Sequence, residues 1–192
     1  MTELHDTPAY YFKVKYGLNH FVETGCYKGA GLATAFRMDF LRLISCDINE
    51  TWVDYCRHQF DSDYTDFFLG ASHEALPKMC RLANGYPTLF FLDAHLPDMY
   101  GMATPGELER MPIAAELEQI LKYKQGFQND VIICDDMRII KSDDNPRWTP
   151  GETICCEPVE GITIKMLESI FTDTHDAVLD PHAEGMLIFT PK

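Results

Sequence analysis

The chain predicts a mostly parallel, doubly wound α/β sheet with helices on both faces and an antiparallel last strand. Three observations carry that expectation. Short apolar runs alternate with longer segments of helical period. Two of the runs, at 88–95 and 130–137, are continuously apolar before ending in polar residues, as strands covered on both faces are. The last two runs are separated by about five residues, too few for a parallel crossover, so they must pair antiparallel.

HFVET (20–24) reads as the first strand, followed by a glycine-containing turn and a helix around 29–38. LRLISCDI (41–48) is the second strand. In NETWVDYCRHQF (49–60), Trp52, Tyr55, Cys56 and Phe60 recur at helical spacing behind an N-cap at Asn49 or Glu50. DFFLG (66–70) is the third strand, and SHEALPKMCRLA (72–83) a helix with Ser72 as its N-cap. TLFFLDAH (88–95) is the fourth strand, and the loop after it is punctuated by Pro97, Gly101, Pro105 and Gly106. MPIAAELEQILKYKQG (111–126) is the clearest helix: Pro112 suits its first turn, apolar residues recur at 113, 117, 120 and 121, and Gly126 stops it. DVIICDDM (130–137) is the fifth strand. A polar segment over 138–160 precedes the helix GITIKMLESIF (161–171). HDAVLD (175–180), a turn at 181–185 and GMLIFTPK complete the order. No repeat, low-complexity tract or linker interrupts it, so 1–192 is expected to form one domain with irregular segments at 96–111 and 138–160.

The composition is globular, 46% apolar and 12% aromatic, with a formal net charge of −14 and a pI near 4.7. Such a surface repels nucleic acid and anionic membranes, and only 16 Lys and Arg are available to build basic patches. The seven cysteines are scattered and form no C-x-x-C pair, which argues against a structural zinc site. The N-terminal stretch lacks a signal-peptide core, and no apolar run reaches membrane-spanning length. A reduced, soluble, cytoplasmic protein without nucleic-acid or membrane partners is expected.

In an open parallel sheet, ligands bind outside the carboxyl ends of the strands. Here those ends carry Glu23, Asp47, Asp93, Asp135 and Asp136, while the third strand ends in Gly70-Ala71-Ser72. Carboxylates gathered on one rim repel each other unless a cation or a hydroxyl-rich ligand lies among them. The plainer account makes each acid a helix cap or turn opener, and for Asp47 alone it stands equally well. It weakens for the set, because the acids follow fully apolar strands. Asp47 lies 22 residues beyond Gly25, at the end of the second strand, where a carboxylate reaches the ribose hydroxyls of an adenosine ligand. Gly25 and Gly29 let the backbone pass close to such a ligand. Glu23 stands where a phosphate-binding loop would use backbone N–H groups alone. A ligand bearing an ammonium and a ribose suits it, and S-adenosylmethionine is such a ligand.

From about Phe21 to Phe189 the chain resembles the class I S-adenosylmethionine-dependent methyltransferases. VETGCYKG resembles their first motif, an acidic residue followed by G-x-x-x-G, with Tyr27 where a further glycine is often found. Asp47-Ile48 resembles the second motif. The reversed last strand is the hallmark of that fold, and the resemblance implies a Rossmann-like sheet of order 3-2-1-4-5-7-6. VETGCY, FLDAH, MPIAAEL and IICDD are together similar to a bacterial and viral subgroup with ETGTY-like, LDAH, TPI-x-x-EL and I-x-DD motifs. The resemblance implies cofactor binding by Glu23, Gly25, Tyr27, Gly29, Asp47, Ser72 and Asp93. Ser72 or the backbone is expected to meet the adenine, because Ala71 occupies the place of the acid that relatives commonly use.

The strand-end acids also resemble those of metal-dependent O-methyltransferases of the catechol type. By position, Asp93, Asp135 and Asp136 would hold one Mg²⁺, a hard cation suited to carboxylates and water. It would lower the pKa of an acceptor hydroxyl for in-line attack on the methyl group. Asp93 and His95 are the candidate catalytic residues, His95 as general base or further ligand; a loop or N-capping histidine is its plainer account. The lysine those enzymes carry near the fourth-strand acid is absent here. The acceptor is expected to meet 96–111, 138–160 and the turn at 180–185. There Met99, Tyr100 and Met102 suggest an apolar cover, Arg138, Arg147 and Trp148 contacts to an acidic or sugar-like acceptor, and Asp180 and His182 further contacts or a mere surface turn. The expected activity is O-methylation of a small-molecule or glycan hydroxyl. A metal-dependent hydrolase or lyase, and a non-catalytic interaction protein that keeps the fold, are the alternatives.

Overall fold

The computed structural model describes residues 4–95, 111–150, 158–180 and 184–192. Seven strands form one sheet: β1 (His20–Thr24), β2 (Arg42–Asp47), β3 (Thr65–Leu69), β4 (Thr88–Leu92), β5 (Val131–Cys134), β6 (His175–Asp180) and β7 (Met186–Pro191). Their order is β3-β2-β1-β4-β5-β7-β6, as the resemblance implied. β1 to β5 run parallel, and β7 lies antiparallel between β5 and β6.

The described helices are α1 (Ala9–Tyr16), α2 (Ala30–Arg37), α3 (Glu50–Gln59), α4 (Ser72–Ala83), α5 (Ile113–Tyr123) and α6 (Ile164–Ser169). Successive side chains of a strand point to opposite faces, so the continuous apolar runs feed two cores. Phe21, Leu43, Leu89 and Ile133 pack with Leu32 and Cys56 from α2 and α3. Their neighbours Val22, Ile44, Phe90 and Ile132 pack with Leu76, Met79, Leu117 and Leu167 from α4, α5 and α6. The doubly wound arrangement thus follows from strands buried on both sides. Among the described residues, no helix is long and apolar enough to cross a membrane.

Local chemistry explains most boundaries, and in three places it departs from the expectation. Asn49 caps α3 by accepting the Thr51 N–H at 2.9 Å, as read from the sequence. Ser72 does not cap α4: Ala71 holds the N-cap position, and the Ser72 side chain is turned into the interior. The helix expected over 161–171 is shorter, because Thr163 caps it by accepting the Met166 N–H. The segment 138–160 is less irregular than expected where it is described. A 3-10 turn spans Met137–Ile139, and a parallel bridge joins Ile140 to Val159; Met137, Ile139, Ile140 and Val159 are buried, and Arg138 is half-buried. α1 escaped the sequence reading because Tyr10, Tyr11 and Val14 are exposed, leaving no apolar stripe at helical spacing.

Candidate functional site

The turn after β1 is tied to the end of β2. Gly25 and Cys26 donate their N–H groups to the Cys46 carbonyl at 2.9 and 3.0 Å. Asp47 completes the tie: Oδ2 accepts the Tyr27 N–H at 2.9 Å and Oδ1 the Asn49 N–H at 2.8 Å. Burial pushes the Asp47 carboxyl up, against the pull of these N–H donors. The Cys26 thiol and the Ile48 N–H also face this carboxyl. Gly25 and Gly29 both have left-handed backbone, φ +80° and +78°. A Cβ on Gly25 would lie 2.6 Å from the Asp93 carbonyl oxygen, and one on Gly29 2.6 Å from the Phe60 ring. The glycines therefore let the loop press against the end of β4 on one side and against the residue closing α3 on the other.

Tyr27 also has positive φ, 40°, and its ring meets Trp52 edge-on with centroids 4.6 Å apart. Glu23 is 2% exposed. It accepts the Ser45 hydroxyl at 2.9 Å, and its other oxygen fills the space beside Gly31 in the first turn of α2. A carboxylate there faces the positive end of the helix. Burial raises its pKa well above the ordinary range, with the charges of Asp93 and Asp47 adding to the shift. Glu23 thus braces the loop from the interior.

The second region lies at the ends of β4 and β5. The Asp93 N–H donates to the carbonyl and the hydroxyl of Thr24, both at 3.2 Å, which fixes it beside the loop. His95 bridges two acids: Nδ1 lies 3.3 Å from Asp93 Oδ1, and Nε2 contacts Asp136 Oδ2. Asp136 Oδ1 is 2.8 Å from Arg138 Nε, and Arg138 Nη2 is 2.6 Å from Glu184 Oε1. Asp135 is 2% exposed, and neither of its oxygens has a hydrogen-bond partner among the described residues.

The titration behaviour follows from this crowding. Burial alone would lower the His95 pKa, but the Asp136 contact and the charges of Asp136, Asp93 and Asp135 outweigh it and hold the imidazole up at about 9. Burial raises Asp93, against the pull of His95. Burial, then the Asp136 charge, pushes Asp135 up. Burial would raise Asp136 too, but His95 and Arg138 bring it below its ordinary value.

Ligand atoms of Asp93, His95 and Asp136 lie within 4.8 Å of one another, and so do those of Asp135, Asp136 and Glu184. The two triads share Asp136. Four carboxylates (Asp93, Asp135, Asp136, Glu184) face two cationic groups, His95 and Arg138, so with all ionised two negative charges remain. That residue of charge, the oxygen-rich donors and the unpartnered Asp135 fit a divalent cation.

The structure thus gathers Asp93, His95, Asp135 and Asp136 into one cluster, and Glu23, Gly25, Tyr27, Gly29 and Asp47 around the neighbouring loop. Ser72 stands apart from both, buried, with its hydroxyl toward Glu116. Arg138 joins the acidic cluster, and Arg147 packs its side chain against Gly185 in the β6–β7 turn. Asp180 is the last residue of β6, opposite Met186. Met99, Tyr100, Met102 and His182 lie outside the described residues.

Two residues went unread in the sequence. Glu184 sits in the turn already assigned to this rim, where Asp180 and His182 drew the attention. Glu116 belongs to MPIAAEL, and its signal was present: position 116 falls on the same helical face as Ile113, Leu117 and Ile120.

The sheet order, its reversed β7 and the glycine loop behind β1 define the Rossmann-like methyltransferase fold. Solved structures share it. A methyltransferase of Podospora anserina bound to SAH aligns with 95% of this chain and 76% of its own, at 16% identity and a TM-score of 0.61. An O-methyltransferase from Bacillus cereus in complex with SAH aligns with 97% of this chain and 82% of its own, at 15% identity and a TM-score of 0.56. At these identities the likeness is one of fold. No protein-family model and no curated protein sequence matches the chain.

Proposed function

We propose that the chain is an S-adenosylmethionine-dependent O-methyltransferase acting on a hydroxyl of a small molecule or glycan, with Mg²⁺ or a similar cation at the acidic cluster. One observation carries the reading: the Asp47-tied loop touches the acidic cluster directly, with Gly25 packed on the Asp93 backbone. A ligand held by the loop and an acceptor held at the cluster would be neighbours. The SAH in two structures of the same fold supports the choice of cofactor.

When bound, the cofactor supplies an electrophilic methyl group on a sulfonium. In this reading Asp47, 9% exposed at the end of β2, accepts the ribose hydroxyls. Gly25, Tyr27 and Gly29 shape the loop around the amino-acid tail, and Glu23 sets its floor on the ammonium side. With the Ser72 side chain turned inward, the backbone at the start of α4 would border the adenine, and Asp93 would serve cofactor and cation alike. Asp93, Asp135 and Asp136, with Glu184 added by the structure, would hold the cation, which lowers the pKa of an acceptor hydroxyl. The acids on either side of His95 favour its protonated form. In its neutral form the imidazole would accept the hydroxyl proton.

Calorimetric titration with S-adenosylhomocysteine tests the reading. Wild type should bind it, and Asp47→Ala should weaken binding about tenfold, the scale of a hydrogen bond to a charged group. Absence of any binding to wild type would remove the methyltransferase reading. An activity lost in EDTA yet indifferent to cofactor would favour the hydrolase or lyase alternative, which draws on the same acids.

A further inference from the structure

Glu116 occupies a place where an apolar side chain would be expected. It lies in the first turn of α5 on the face that carries Ile113, Leu117 and Ile120, and it is 1% exposed. The Ser72 hydroxyl faces it from the first turn of α4, in a contact too loose to count as a full hydrogen bond, and its Oε1 has no other partner among the described residues. The Thr24 hydroxyl faces it from the end of β1. That hydroxyl already accepts the Asp93 N–H, so its own hydrogen is available to Glu116. The thiols of Cys46 and Cys134, at the ends of β2 and β5, also feel the Glu116 charge. The carboxyl therefore sits just beneath the rim, at the meeting point of β1, β2, β5 and the start of α4.

A buried carboxyl with an oxygen left unmatched destabilises a fold, and leucine at this site would continue the core of α5. Such a group persists where it serves something other than stability. Its two hydroxyl neighbours indicate what that is. Thr24 connects it to the backbone of Asp93, and Ser72 connects it to the first turn of α4, the two elements that border the cofactor in the reading above.

We propose that Glu116 is a positioning residue: through Thr24 and Ser72 it sets the end of β1 and the first turn of α4 relative to each other, and so shapes the cofactor cleft from below. The inference rests on that cofactor reading. It places no group of Glu116 on the ligand itself.

The test pairs thermal melting with S-adenosylhomocysteine titration of Glu116→Leu, Glu116→Gln, Ser72→Ala and the Glu116→Leu/Ser72→Ala double variant. Glu116→Leu should melt at or above wild type while binding about tenfold more weakly, and Glu116→Gln should stay within about threefold of wild type. Ser72→Ala should weaken binding as well, and the double variant should bind no more weakly than Glu116→Leu alone, because both changes break one linkage. Wild-type affinity in Glu116→Leu, or additive losses in the double variant, would overturn the proposal. If Glu116→Leu does not fold, Glu116→Gln combined with Ser72→Ala supplies the same cycle, with additivity again the refuting result. Failure of wild type to bind would take down the cofactor reading and this one together, whereas binding by wild type with indifference to position 116 removes this one alone.

Discussion

β5 buries a carboxylate at each of its ends, and the fold treats the two oppositely. At its start, Asp130 is fully buried and accepts the Thr88 N–H at 2.8 Å. Lys124, itself buried, places Nζ 3.2 Å from Asp130 Oδ2 and donates also to the carbonyls of Tyr86 and Gln125 at 3.1 and 3.2 Å. One acid meets one cation, and the ammonium has an acceptor for each hydrogen. At the other end, Asp135 has no hydrogen-bond partner among the described residues and shares its surroundings with Asp136 and Glu184. The strand between them is four residues long. The same chain thus pairs a buried acid with a cation at one end of the strand, and leaves carboxylates in excess of cations at the rim, where the proposed ligand would bind.

The largest expected effect tests the neutralised end. Lys124→Met leaves Asp130 buried without its cation, a loss of about 3–5 kcal/mol for a broken buried pair. Urea denaturation should show it, and adding Asp130→Asn should recover much of it. A loss under about 1 kcal/mol would put the pair on a level with a surface salt bridge and dissolve the contrast.

The opposite end should respond with the opposite sign. Asp135→Asn removes an unpartnered buried charge, so in EDTA it should raise the melting temperature by the equivalent of about 1–2 kcal/mol. Mg²⁺ or Mn²⁺ should stabilise wild type by about 2.7 kcal/mol at a hundred times its dissociation constant, and Asp135→Asn far less. Wild type that melts identically with either cation and with EDTA would show that the cluster is no cation site.

How far each region could be read in the sequence follows from the same physics. The strands announced themselves because two-sided burial demands continuous apolar runs, and the acids at their ends were conspicuous against that background. Strand order and the reversal of β7 followed from connection lengths and the family resemblance. The contacts that complete the site were harder to see. Glu184 comes from a turn, where an acidic residue is unremarkable until the hairpin folds it onto Arg138. Glu116 was hidden by its own helix, whose strong apolar stripe invites the eye past one acid on the buried side. Gly29 read as room for a ligand, and to that the structure adds Phe60, whose ring a side chain at 29 would meet, a contact that only the packing of α3 on the loop creates. α1 carried no periodic signal at all.

The smallest effect sharpens the comparison through pH. Burial pushes Glu116 and Asp135 up to about 7, from about 4.5 and 3.8 when unfolded. Between those limits the native state binds more protons than the unfolded chain, so without cation each group stabilises the fold at low pH and loses that contribution as pH rises through 7. His95 acts in the same direction, because its native value of about 9 exceeds its unfolded one. Cation-free protein should therefore gain stability on acidification from about pH 8 to about pH 6, by about 1 kcal/mol per unit and group at most, before general acid unfolding intervenes. Asp135→Asn should flatten the slope by its share, and saturating Mg²⁺ should flatten it too, since a bound cation favours the ionised carboxylates. Burial pushes Asp130 up to about 7 as well, against the pull of Lys124, so a slope unchanged by both Mg²⁺ and Asp135→Asn would place the effect at the other end of β5 or elsewhere, not at the rim.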